Sequence, residues 1–447
     1  MLKHVLRVLA ILLVLTIGVL VYLGWPDPAR LAIAQVQGAR PRITDPRQQV
    51  IPTIIVPDAV GWPQGQMPTA APGLGVQAFA RGLDHPRWLY RLPNGDVLVA
   101  ETNSPPRQVG GVTGLVMGWL MNKGGAGVPS ANRITLLRDA DGDGVAETRT
   151  VFMTGLNSPF GMALISGQLY IGNTDAVVRV PYTEGATRIT ARPELIVRLP
   201  AGGNHWARNL LAAPDGKHLY VTVGSSTNIA EGGLDAEKFR ANILEVAPDT
   251  KTARIYGAGL RNPNGMAINP VTHELWTVVN ERDQLGSDLA PDYLTQVELG
   301  DHFGWPWYYW GGYPDNRVEQ DNPALQEYAK RPDYALGPHV AALGLAFSTE
   351  VHLGGRFGGG AFIGEHGSWN RKPVSGYKVV FVPFATNGFP VPNARPVDVL
   401  TGFLDADGKA RGRPVGVIGD RSGAMLVADD VGNTIWRVAP AQRTAAR

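Results

Sequence analysis

Gly259-Leu260-Arg261-Asn262-Pro263-Asn264-Gly265-Met266-Ala267 is followed about fifteen residues later by Asn280-Glu281-Arg282-Asp283. The first stretch puts a guanidinium, two amides and a glycine into one loop and leads directly into a strand. The second delivers an acidic cluster at that strand pair's far end. Two carboxamides flanking a guanidinium suit a planar, anionic, carbonyl-rich ligand better than they suit solvent. A hydrated Asx-turn between two strands is the plainer reading of the same residues. Recurrence of the pattern decides between them.

Six copies occur, over residues 82–101, 155–173, 203–222, 259–281, 343–366 and 412–430. Each runs from a glycine-bearing polar loop into a small-apolar strand, a glycine turn, and a second strand ending in an acid or amide. The last ends on Ala428-Asp429-Asp430. The strands are short and rich in β-branched and aromatic residues, as half-buried sheets require. With a second strand pair between copies, this spacing predicts an all-β, six-bladed β-propeller of four-stranded blades. The loops before the inner strands then converge on one face of the central channel, and residues distant in sequence form one pocket. An irregular β-sandwich would not explain why each loop keeps its glycine and polar residues.

Composition agrees. Gly 55 and Pro 35 in 447 residues fit many short strands joined by turns, and a net charge of +2 without a basic run argues against nucleic acid as a partner. The absence of cysteine excludes disulfides, thiolate metal sites and cysteine nucleophiles. After Lys3, His4 and Arg7, an uncharged run from Val8 to Leu23 closed by Tyr22 and Trp25 reads as an N-terminal transmembrane anchor, with a cleaved signal as the alternative. The expected organisation is residues 1–25 anchor or signal, 26–75 extended arm, 76–440 propeller and 441–447 tail. Val50–Val56 could lie along the domain as an edge strand. Residues 103–130 read as a long glycine-rich loop. Phe303-Gly304-Trp305-Pro306-Trp307-Tyr308-Tyr309-Trp310-Gly311-Gly312-Tyr313 reads as a structural lid more than as a substrate platform.

Candidate chemistry falls in two places. Asp139-Ala140-Asp141-Gly142-Asp143-Gly144 resembles the first half of a calcium loop, although Thr150 stands where a bidentate Glu would; an acidic hairpin turn is the alternative. His205, in a predicted channel loop, is the side chain best suited to accept a proton near neutral pH. Neighbouring loops contribute Asn228, Arg261, Asn262, Asn264, Arg371, Lys372, Arg411 and Arg413. Several cations aimed at one channel repel one another unless an anionic ligand sits among them. A zinc-type histidine set, a dinucleotide fingerprint, a phosphate loop and a serine nucleophile elbow are all missing from the sequence.

The set Asn204-His205, Gly259–Gly265, Asn280–Asp283, Gly300-Asp301-His302-Phe303-Gly304-Trp305-Pro306 and Arg411-Gly412-Arg413 resembles the soluble, pyrroloquinoline quinone (PQQ)-dependent glucose/sorbosone dehydrogenase family over most of residues 76–440. The resemblance implies PQQ over the channel and a calcium ion at its quinone edge. It implies His205 as general base, with Arg261, Asn262, Asn264 and Asn228 around the quinone. Arg411, Arg413, Arg371 or Lys372 and Asp429 complete the cofactor set, and backbone carbonyls about Asp283 and Gln284 hold the calcium. The sequence departs from the family at Arg282-Asp283-Gln284, where Gln-Gly-Pro is usual, and at Trp206 after the histidine. Gly364-Glu365-His366-Gly367-Ser368-Trp369-Asn370-Arg371 resembles the sorbosone branch. The implied activity is oxidation of an aldose or sugar aldehyde, with electrons passing to a membrane quinone or small cytochrome from a periplasmic propeller tethered to the inner membrane. A Ca²⁺-dependent sugar lactonase and a non-catalytic propeller scaffold are the rival readings.

Overall fold

A computed structural model describes residues 2–49, 52–106 and 111–441. Each predicted copy forms the inner strand pair of one four-stranded antiparallel sheet. Blade 1 is Pro86–Arg91, Val97–Glu101, Arg133–Arg138 and Thr148–Met153; blade 2 is Met162–Ile165, Gln168–Asn173, Ala176–Pro181 and Glu194–Arg198. Blade 3 is Leu210–Ala212, Leu219–Val223, Asn242–Ala247 and Thr252–Ala258, and blade 4 is Pro263–Ile268, Leu275–Val279, Pro291–Val297 and Tyr334–Pro338. Blade 5 contains Ala342–Phe347, Gly360–Glu365, Lys378–Pro383 and Val397–Thr401, with the two residues Thr69–Ala70 added at its edge. Blade 6 joins Pro414–Gly419, Met425–Asp429 and Thr434–Pro440 from the end of the chain to Leu74–Arg81 from its beginning. That pairing runs from Leu74↔Pro440 to Arg81↔Thr434 and closes the ring, the beginning of the chain supplying the outer strand of the last blade. The six-bladed propeller is the predicted fold.

The second strands are sealed on both faces: every residue of Val97–Glu101, Leu219–Val223, Leu275–Val279 and Met425–Asp429 is buried. Continuous apolar strands of this kind belong between packed sheets. Around the channel the inner strands approach backbone to backbone. A Cβ built on Gly344 lies 2.3 Å from the Val415 carbonyl oxygen, and one on Gly265 lies 2.5 Å from that of Leu343. Backbone cannot swing aside as a side chain can. Gly344→Ala is therefore expected to cost about 1–3 kcal/mol through overpacking, read as a fall in the thermal unfolding midpoint of roughly 2–4 °C per kcal/mol. An unchanged midpoint would show that the blades can spread.

Three expectations change outside the blades. Helix α1, Leu2–Leu23, forms, and its large apolar side chains from Val5 to Val19, with Val21, are half-exposed or more. Among the described residues, however, no helix is long and apolar enough to cross a membrane, so the predicted transmembrane anchor has no support. The charged and polar Lys3, His4 and Arg7 occupy its first turns and leave only Val8–Leu23 uncharged, which at 1.5 Å per residue spans about 24 Å of a ~30 Å hydrocarbon layer. The loop 103–130 contains a second helix, α2, Gly111–Lys123. Val50 and Ile51 lie outside the described residues, and the rest of Val50–Val56 forms no strand. Instead the arm adheres through single bonds, such as Ile55 N–H to the Trp369 carbonyl (2.8 Å) and the Asn370 amide to the Thr53 carbonyl (2.6 Å).

The aromatic segment is structural. Phe303, Trp305, Tyr308, Tyr309 and Trp310 are all buried, and Phe303, Tyr309 and Trp310 pack into the core shared by blades 3 and 4. Arg282, fully buried, pins them: it donates to the Pro306 carbonyl at 2.7 Å and the Tyr308 carbonyl at 2.6 Å, and pairs with Glu281 and Asp315.

Candidate functional site

In an antiparallel four-stranded blade, the loop entering the first strand and the loop joining the second to the third emerge on the same face. On that face the structure gathers His205, Asn228, Arg261, Asn262, Asp283, Arg371, Lys372, Arg411 and Arg413. The Asp139–Glu147 turn, between the third and fourth strands of blade 1, lies on the opposite face. There Asp139, Asp141, Asp143 and Glu147 bring carboxylate oxygens within 4.8 Å of one another, mostly in solvent and away from the channel mouth.

His205 is half-buried, and its Nδ1 lies 2.8 Å from the Ser225 carbonyl oxygen. A carbonyl only accepts, so Nδ1 carries the proton and the neutral ring keeps Nε2 as its basic nitrogen. Ser225 is set in turn by the Arg261 loop, its N–H donating to the Arg261 carbonyl at 2.7 Å. Between them Gly224 leaves no room for a side chain: a Cβ there would lie 2.4 Å from Asn262 Oδ1 and 2.6 Å from His205 Cβ. Histidine and amide are thus neighbours across one glycine.

Arg261 is buried and spends its guanidinium on protein. It donates to Asn228 Oδ1 (2.8 Å), the Asn228 carbonyl (3.1 Å), the Glu281 carbonyl (2.6 Å) and Asp283 Oδ2 (3.1 Å). Asn228 is clamped further by Trp305 Nε1 on its carbonyl and by the Asp283 N–H on its Oδ1. Burial alone would raise the Asp283 carboxyl, but the His339 hydrogen bond and the charges of Arg261, His339 and His205 outweigh it and hold it low. His339 is correspondingly raised: burial lowers it, and Asp283, 3.5 Å away, more than compensates.

The expected ring of inward-aimed cations is not what forms. Arg371 donates to the Ser287 and Pro373 carbonyls, and Arg413 to those of His366 and Gly367. Burying an arginine demands such partners. Among the described residues the Arg411 guanidinium and the exposed Lys372 ammonium have none, so they supply open positive charge at the rim. Asp429 accepts from Trp62, Trp436 and the N–H groups of Arg413 and Gly432, and burial raises its pKa to about 6. It is a knot that ties the arm to blade 6.

The open charges of Arg411 and Lys372 suit a carboxylated cofactor, but the buried groups add little: the unpaired Asn264 Oδ1 is an acceptor like the cofactor's own oxygens, and fully buried Arg208 already donates to the His205, Ala207 and Pro200 carbonyls. The predicted calcium carbonyls fit their ion less well. Arg317 Nη1 donates to the Asp283 carbonyl at 3.0 Å and the Gln284 carbonyl at 3.4 Å, and Asn228 Nδ2 also donates to Asp283. A guanidinium already satisfies the pair, and a divalent cation would have to displace it.

Sequence reasoning missed a second cluster on this face. Asp430 Oδ2 meets Arg87 at 2.5 Å, His366 at 2.8 Å and His85 at 3.5 Å. Burial lowers His85 to about 4 and His366 to about 3, while Asp430 stays well below its ordinary value because those partners outweigh burial. Arg87 also lies 5.8 Å over the Trp206 ring. The register of the repeat held the signal: aligning Gly82-Leu83-Asp84-His85-Pro86-Arg87 with Gly259-Leu260-Arg261-Asn262-Pro263-Asn264 sets His85 on Asn262 and Arg87 on Asn264.

Fold and face together define a propeller with a histidine, clustered amides and open cationic groups at its channel mouth. The chain belongs to the TrAA12-like family, whose model matches residues 68–293 and 291–441. It is 23% identical to a PQQ-dependent sugar dehydrogenase of Hypocrea jecorina, over 75% of this chain and 78% of that one. Among solved structures it resembles an iodide structure of the Trichoderma reesei AA12 enzyme (TM-score 0.67, 21% identity, 84% of this chain and 98% of that one). It also resembles the holo PQQ domain of a Coprinopsis cinerea pyranose dehydrogenase (TM-score 0.66, 19% identity, 86% of this chain and 100% of that one).

Proposed function

We propose that this protein is a PQQ-dependent dehydrogenase of aldoses or related sugar aldehydes, of the glucose/sorbosone type. The observation that carries the reading is the meeting of His205 and Asn262 across Gly224, at a channel mouth rimmed by Arg411 and Lys372. Arg411 and Lys372 would hold the cofactor's carboxylates, and the amide N–H groups of Asn262 and Asn264 its ring oxygens. When bound, PQQ supplies an electrophilic quinone able to take a hydride from the sugar carbon. His205 Nε2 takes the proton of the sugar hydroxyl, and the Ser225 carbonyl holds the ring in the tautomer that can do so. Arg261, through Asn228 and Asp283, fixes the loop that presents Asn262. No step is assigned to calcium.

The proposal includes export to the periplasm, favoured by the uncharged N-terminal run, and a membrane quinone or small cytochrome as electron acceptor. A lactonase would need a channel metal held by carboxylates. Among the described residues, the group of acids and histidines close enough to hold an ion is Asp139–Glu147, on the other face. Purified protein incubated with PQQ should bind it stoichiometrically and then reduce a dye with an aldose. Absence of PQQ binding would end this reading.

A further inference from the structure

A cavity of about 600 Å³ opens on the channel-mouth face beside Asn204, the residue before His205. Its two walls differ in chemistry. One is helix α2, which presents Gly114, Met117, Gly118 and Met121 to the cavity, a stripe at i, i+3, i+4 and i+7. Pro105 and Pro106 extend that apolar wall. The other wall carries Asn132, Asn157, Ser158 and Asn204, from the loops of blades 1 to 3. Asn132 Oδ1 is fixed by Ser130 Oγ at 2.7 Å and the Ser158 N–H at 2.8 Å. Its Nδ2, like the whole Asn157 amide, makes no hydrogen bond among the described residues. Among the described residues, none that lines the cavity carries a charge.

Glycine inside a helix costs about 1 kcal/mol relative to alanine, and α2 carries two on the stripe that faces the cavity. A side chain at Gly118 would meet nothing within 4 Å. Packing therefore does not require the glycine; open space in front of the helix is what it provides. Methionine beside it is a flexible apolar surface that adapts to irregular shapes.

We infer that this cavity seats a second, neutral sugar ring, so that the substrate is a reducing oligosaccharide whose terminal ring reaches His205; the inference rests on the dehydrogenase reading above. A pyranose ring has apolar C–H faces and a hydroxyl edge. The Met-Gly-Pro wall matches the first and the Asn-Ser wall the second. The volume falls within the ~300–1,000 Å³ of sites that enclose ligands larger than one ring. Among the described lining residues none offers a counter-ion to a uronic or phosphorylated unit, which favours a neutral ring.

Gly118→Phe tests this directly, since the ring enters open space and helix propensity improves. In PQQ-loaded protein, kcat/KM for cellobiose or maltose should fall at least about tenfold, chiefly through KM, while that for glucose stays within about twofold. In PQQ-free protein, calorimetric titration should show disaccharide binding in the parent and its loss in the variant. Gly118→Ala should behave as the parent in both assays. Equal effects on glucose and disaccharide, or no effect on either, overturn the proposal, as does a parent that binds disaccharide no better than glucose. If no sugar is oxidised while Gly118→Phe still abolishes disaccharide binding, the dehydrogenase reading has failed and the sugar site stands.

Discussion

His205→Asn in the PQQ-loaded protein is expected to lower kcat for an aldose by about 10²–10⁴-fold, the usual contribution of a positioned general base. Asparagine is the informative replacement. Its Nδ2 can donate to the Ser225 carbonyl as His205 Nδ1 does at 2.8 Å, so the 224–228 loop keeps its anchor. The amide has no basic nitrogen, and the proton of the sugar hydroxyl is left without an acceptor. PQQ affinity should stay within a few-fold, because the cationic rim is untouched. A larger substitution effect on PQQ binding than on kcat would recast His205 as a cofactor ligand. Activity within twofold of the parent would remove it from the reaction.

The fold was legible because the repeat is written in local chemistry. A glycine loop, a short β-branched strand, a second glycine and an acid or amide recur six times, and each recurrence became an inner strand pair. Closure of the ring was not legible, since Leu74–Arg81 and Thr434–Pro440 meet only through topology. Helix α2 was hidden by its composition. Gly111, Gly114 and Gly118 lower helix propensity, and the usual apolar-polar alternation is absent because one stripe faces a cavity and the other, with Leu115, Val116 and Trp119, faces solvent.

The site was partly legible for a related reason. Residue types could be read, but their spending could not. Arg261, Arg371 and Arg413 looked like ligands for an anion, and the structure commits each to backbone carbonyls. Arg282 looked like an error in a calcium loop and turns out to fasten the aromatic segment. The Asp430 cluster was overlooked because its members come from loops of blades 1, 5 and 6, and only superposing the repeats sets His85 and Arg87 at the channel. In each case tertiary hydrogen bonding, which sequence does not show, decided the role.

Glu365 carries the second large effect. It ends the second strand of blade 5, is fully buried, and neither carboxyl oxygen has a hydrogen-bond partner among the described residues. Burial pushes its pKa up to about 8, with Asp398 and Asp292 adding to the rise and Lys378 opposing it. Asp292, at the edge of the His339–Asp283 pair, is raised to about 7 for the same leading reason. Near pH 7 the folded protein therefore holds a proton on Glu365 and about half of one on Asp292, which unfolding releases. Stability from Glu365 is therefore fully present below its unfolded pKa of ~4.3 and is lost as pH rises towards 8, by at most about 1.4 kcal/mol per pH unit. Glu365→Gln keeps the shape and the neutrality of the protonated acid without a proton to lose. Urea unfolding should find parent and variant within about 1 kcal/mol at pH 5. At pH 8 the variant should be more stable by roughly 3 kcal/mol, a gap that screening and water entry can reduce but not reverse. The residual slope of the variant should then include those of Asp292 and Asp429, both also raised by burial. A constant difference between the two proteins across pH 5–8 would mean that the Glu365 carboxyl is ionised throughout and finds a partner in solution. In that event burial at this position would be relieved by opening of blade 5 rather than by a proton.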